Sequence, residues 1–186
     1  MVQLKKNPEK SQTSKEVVRL LERGHADTLQ KISQLEKALL NLRFEGKPSL
    51  GKNLRQAEEV LDFLRNQLMK HIRIEEKVIF PFLSAHIPKL ESVIHLLEGE
   101  HDEFRKNVED FCFELEAVSK AKAGLGFGRT LERAQETGTY LVYLLRNHIR
   151  AEHQSVYKVI HSELRPDEKK ELARRITECK THGGSK

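Results

Sequence analysis

Leu61-Asp62-Phe63-Leu64-Arg65-Asn66-Gln67-Leu68-Met69-Lys70-His71-Ile72-Arg73-Ile74-Glu75 is the stretch on which the fold turns. Leu61, Leu64, Leu68, His71 and Glu75 recur at steps of three and four, the period of one face of a helix. The same face continues back through Ala57 to Leu54 and forward to Val78 and Phe82. It is apolar except for His71 and Glu75, which are four residues apart and so share that face. A buried carboxylate without partners costs several kcal/mol, and a buried imidazole also demands a partner. Something in the core must therefore satisfy this pair.

Three more seams of the same period lie on either side of this stretch. One runs Val18, Leu21, His25, Thr28, Ile32, Leu35, Leu39, Leu42. Another runs Leu90, Ile94, Leu97, His101, Phe104, Val108, Phe111, Leu115, Val118. The last runs Ala134, Gly138, Leu141, Leu145, His148, Glu152, Ser155, Val159. Each carries a histidine, and the last repeats the His-x-x-x-Glu pair. The periodic stretches span about 14–44, 54–85, 88–120 and 128–163, and a capping-box pair, Thr13 and Glu16, stands at the start of the first. The breaks are Glu45 to Gly51, His86-Ile87-Pro88 and the Gly124 to Gly128 segment; the last lacks the strand and Lys-Ser/Thr of a phosphate loop and reads as a helix stop and restart. Pro81 is expected to kink its helix by removing a donor and crowding the Lys77 carbonyl.

Short connections make neighbouring helices antiparallel. The expected fold is all-α: an up-down-up-down four-helix bundle with a short C-terminal fifth helix opening at Pro166. Residues 1–13 read as an N-terminal extension, 14–163 as the bundle, 164–179 as the short helix and 180–186 as a disordered tail.

Composition agrees. The 186 residues hold only 10 Gly, 5 Pro and no Trp, and Ala, Glu, Lys, Leu and Arg dominate, as in long helices. Two cysteines cannot staple a secreted scaffold, which points to a reducing, cytoplasmic setting. No apolar run is long enough for a membrane span, and no apolar stretch succeeds the N-terminal charges. The net charge of +5 comes from interspersed signs, so the basic residues read as solvated helix faces rather than a nucleic-acid surface.

Height along the bundle joins the polar interruptions. Counted at about 1.5 Å per residue, His25, His71, Glu75, His101, His148 and Glu152 all fall roughly 15–22 Å from one end. Six donors in one layer exceed a single tetrahedral zinc. Two metals bridged by Glu75 and Glu152 use the whole set. Four nitrogens, two bidentate carboxylates and a shared oxide or hydroxide supply about ten bonds of the roughly twelve that two six-coordinate ions take, so about two positions stay open. The donor types suit iron or manganese, and zinc is compatible with them.

This pattern resembles the hemerythrin-like HHE cation-binding family: a histidine on the first helix, His71-Ile72-Arg73-Ile74-Glu75 on the second, Glu100-His101 on the third and His148-Ile149-Arg150-Ala151-Glu152 on the fourth. The strings from His71 to Phe82 and from Glu98 to Phe104 are similar to it too, and the likeness covers about residues 14–163. The resemblance implies a non-haem di-iron centre, oxo- or hydroxo-bridged, with the four histidines as terminal ligands and Glu75 and Glu152 as bridges. The oxygen-carrying members have a second histidine one turn from that on the third helix, where this chain has Leu97 and Arg105, and they space the last carboxylate one residue farther on. The set is similar to that of members linked to nitric oxide and to repair of damaged iron centres. The implied function is binding of a small diatomic ligand, O2 or NO, in sensing or in iron handling or repair, with a protein partner for any signal. The alternative is a di-iron enzyme: a nitric oxide reductase, peroxidase or ferroxidase.

The remaining candidates are assigned blander roles. His95, His153 and Glu76 sit one residue off a seam and read as surface positions. His86, His161 and His182 lie at helix ends or in the tail, Cys112 reads as packing, and Cys179 with His182 offers too few donors for a metal. Tyr140 and Tyr143 read as hydrogen-bonding residues at the bundle edge.

Overall fold

The computed structural model describes residues 8–44, 47–121 and 126–182, and among them the regular structure is entirely helical. Five rods succeed one another: α1 (Pro8–Phe44), α2 (residues 47–86), α3 (Glu91–Lys120), α4 (residues 127–163) and α5 (Pro166–His182). α1 packs on α2 and α4, α2 on α3, and α3 on α4. Four antiparallel rods thus close into a ring around one axis, as the short links require. α5 lies against α1 and the C-terminal half of α2.

Several boundaries differ from the expected ones. α1 begins at Pro8, upstream of the capping-box pair, so Thr13 is inside the helix. α2 begins at Lys47, because Pro48 fits a first turn where its missing donor costs nothing, and Gly51 meets only open space. α5 extends past Cys179 to His182. Glu45, Gly46, Gly124, Leu125 and the tail residues 183–186 lie outside the described residues.

Helices α2 and α4 are not regular. Wider π-helical turns interrupt α2 at Leu64–Leu68 and Glu75–Ile79, and α4 at His153–Tyr157. Each inserts one residue and rotates the helix beyond it. In α4 the seam moves from the expected Ser155 and Val159, which are half-buried, to Val156 and Ile160, which are fully buried. In α2 it moves from Val78 to Ile79 and Leu83. Pro81 does not break α2: the π turn ends at Ile79, and Pro81 takes the first positions of the α-helical segment Phe80–His86. α3 has no such turn, and its eight seam positions from Ile94 to Val118 are all buried, as is Leu90 just before it.

The interior is two apolar clusters with a polar layer between them. One cluster gathers Ile32 to Leu42, Ala57 to Ile72, Phe104 to Val118 and Ala134 to Leu145. The other gathers Ile79 to Leu97, Val156 to Leu164, and Leu172 and Ile176 of α5. At Gly138 a Cβ would come within 2.7 Å of Phe111 and 2.9 Å of Leu39, so glycine permits the close approach of α4 to its neighbours. Among the described residues no helix is long and apolar enough to cross a membrane.

Candidate metal centre

The layer between the clusters contains His25 from α1, His71 and Glu75 from α2, His101 from α3, and His148 and Glu152 from α4. All but His71 are buried, and the His71 side chain is 15 % exposed. The structure brings all six together as two overlapping groups. His25, His71, Glu75 and Glu152 form one, and Glu75, His101, His148 and Glu152 the other, with the donor atoms of each within 4.8 Å of one another. Both glutamates belong to both groups.

Close approach without hydrogen bonding marks the interior of each group. His71 Nε2 stands 2.8 Å from Glu75 Oε1, yet both atoms are buried with no hydrogen-bond partner. His25 Nε2 stands 2.8 Å from Glu152 Oε2, and neither oxygen of Glu75 or Glu152 accepts a hydrogen bond. His101 Nε2 and His148 Nε2 face each other at 3.1 Å. Behind them, His101 Nδ1 lies 3.0 Å from Glu76 Oε1 and His148 Nδ1 lies 2.6 Å from Glu100 Oε2. A ring that donates through Nδ1 to a carboxylate presents a bare lone pair at Nε2. Two such lone pairs cannot bond each other. They can share a cation, since donors about 2.1 Å from one ion and at right angles stand about 3 Å apart. Each group is therefore able to hold a metal ion, and Glu75 and Glu152 are common to both.

Electrostatics shows what the layer does with its own charges. Burial works against a charged His25, but the Glu152 and Glu75 carboxylates beside it outweigh burial and raise its pKa to about 9. Burial also opposes ionisation of Glu75, but His71 and His25 hold it well below the usual carboxylate range. Glu152 is pushed the other way, first by burial and then by the charge of Glu75. Burial lowers His101 to about 4 against the pull of Glu75 and Glu76. A proton on His25 thus stands among the carboxylates where a cation fits.

Local fit sets the ring positions. A Cβ at Gly24 would lie 2.7 Å from His71 Nδ1, so glycine there lets the imidazole rest on α1. Phe80 stacks on His101 at 5.6 Å between ring centroids, and Phe104 meets His148 edge-on at 4.9 Å. These rings keep water from that side of the layer.

Three neighbours go beyond the sequence expectation. Glu76 is not a solvated surface residue: it bonds His101, and Arg105 Nη2 holds both its oxygens at 2.6 Å. Glu100 stands behind His148. Tyr157 is 4 % exposed, stacks on His25 at 5.2 Å, and places its hydroxyl 3.3 Å from His25 Nε2. The π turn at His153–Tyr157 rotates it inward, which a regular period cannot reveal. The other candidates fall as expected: His95 is exposed beside Glu98, Tyr140 donates to Glu103 at the bundle edge, and Cys112 packs at the rim of the core. His153 is exposed, though its ring lies 5.3 Å from that of His25.

A comparison with curated protein sequences finds no match. A family model described as hemerythrin HHE cation binding domain matches residues 16–160, a span that contains all six residues of the layer.

Proposed function

Because this chain belongs to the hemerythrin HHE cation-binding domain family, we propose that its metal centre is a pair of iron ions ligated by His25, His71, His101 and His148 and bridged by Glu75 and Glu152. The observation that carries this reading is the sharing of both glutamates between two histidine pairs. Bound iron would supply an open coordination position for a small diatomic ligand, O2 or NO, in sensing or in iron handling and repair.

The protein's own groups suit that task. Two histidines on each side leave fewer donors than two octahedral ions take. The Tyr157 hydroxyl faces the His25 side, where it can donate to a bound ligand. Phe80, Phe104 and the flanking clusters keep bulk water away. Few carboxylates and many imidazoles favour reversible binding over high-valent oxidation, in contrast to the carboxylate-rich Glu-x-x-His bundles. Two free cysteines fit a cytoplasmic location.

Metal analysis of the purified protein tests the centre: two irons per chain are expected. His71→Ala and Glu75→Ala are each expected to lower both metal content and Tm; retention of two metals by either variant would refute the ligand assignment. Anaerobic titration of the reduced form with O2 and NO tests the ligand. A reversible spectral change supports binding, multiple turnovers support an enzyme instead, and indifference to both gases sinks the diatomic reading.

A further inference from the structure

The four imidazoles are not supported alike. His148 has Glu100 behind it at 2.6 Å, and His101 has Glu76 at 3.0 Å. Glu76 is itself fixed, since Arg105 reaches both its oxygens through Nη2 and donates to Asp102 through Nη1 at 2.7 Å. The other pair lacks this. His25 Nδ1 is buried with no hydrogen-bond partner, and among the described residues no carboxylate hydrogen-bonds Nδ1 of His71, whose ring rests on Gly24 instead. Exposure sets His71 alone apart: its side chain is 15 % exposed, against 0 %, 3 % and 5 % for His101, His25 and His148.

A carboxylate behind a ligand imidazole selects the tautomer with a bare Nε2, holds the ring angle and strengthens the nitrogen as a donor; losing it typically costs 10–100-fold in metal affinity. One half of the centre has this twice and the other not at all. Resting on the two-metal reading above, we propose that the halves are unequal. The position between His101 and His148 fills first and holds its metal. The position between His25 and His71 fills second and exchanges. Glu76, Glu100 and Arg105 are the positioning residues that set the difference, and a form with one metal is a stable species of this protein. Arg105 occupies a place one turn from His101, and its work there is to clamp Glu76.

The test is an anaerobic titration of the metal-free full-length chain with Co(II) against a chelator of known affinity. Two steps separated by at least about tenfold are expected. Glu100→Gln and Glu76→Gln should each weaken the tight step by about tenfold and leave the weak step unchanged. His25→Ala should keep one tightly bound metal, and His148→Ala should lose the tight step. Arg105→Gln, which changes a half-exposed side chain, provides a mild variant should either glutamate variant fail to fold, and it too should weaken only the tight step. Overlapping steps in the unmodified protein, or glutamate variants that weaken the second step, would overturn the inequality. Failure to bind two metals at all would instead overturn the two-metal reading.

Discussion

His25 holds a proton that a metal must displace. In the metal-free protein its pKa of about 9 keeps it protonated between Glu152 and Glu75. Metal uptake near pH 7.5 must expel that proton, so calorimetry in two buffers of different ionisation enthalpy should show proton release. The pKa is raised from 6.5, so the stability it contributes to the metal-free fold is complete below about pH 6.5 and is lost as pH rises through about 9. His101 is lowered to about 4, so below pH 6.5 the unfolded chain takes up a proton that the fold refuses, and stability falls toward pH 4. Between them these two residues contribute most to the metal-free fold near pH 6.5. Denaturant melts across pH 4–9 check this; a metal-free protein most stable at pH 9 would contradict the His25 assignment. The same scale shows why periodicity does not reveal Glu76 and Tyr157. Each lies off its seam, and only the packed partner, His101 or His25, gives it a role.

At the scale of the element, the π turns matter most. Without the wide turn at His153–Tyr157, the face that begins at His148 and Glu152 would continue through Ser155 and Val159; with it, Val156, Tyr157 and Ile160 are inside. An inserted residue can be removed. Deleting the exposed Gln154 should restore a regular helix with the same three side chains buried, and the protein should fold with a Tm lowered by only a few degrees. Deleting both His153 and Gln154 turns the next face by about 100°. Lys158 and His161 would then point inward, and the loss should exceed about 10 °C. Circular dichroism melts distinguish the two, and equal damage from both deletions would count against a register-neutral insertion. The glutamates gain from the same device. Glu75 and Glu152 each stand where an α segment gives way to a π turn, so the helix can aim a carboxylate into the layer and still return apolar residues to the core below it.

The molecule as a whole holds its polar layer between two apolar masses, and α5 completes the smaller one. Leu172 and Ile176 are fully buried there, so the fifth helix is part of the core rather than an appendage. Leu172→Ala should cost about 2–5 kcal/mol by loss of burial and the cavity left behind. Leu40→Ala, at a position 51 % exposed, should change stability by less than about 0.5 kcal/mol. Chemical denaturation of both variants in metal-free form makes the comparison. Equal effects would mean that α5 is not closing the cluster.

The four amphipathic rods, their order and the layer of six donors are legible in the residues alone, because helical period and rise per residue are local properties and short links leave little choice of neighbour. Seam positions on α3 and most of α1 were readable for the same reason. Tertiary structure alone decided which histidines pair, which carboxylates stand behind them, and where α2 and α4 slip by a residue. Those features depend on contacts between residues distant in the chain. His101 meets Glu76 and His148 meets Glu100 across the bundle, at separations that no periodicity encodes.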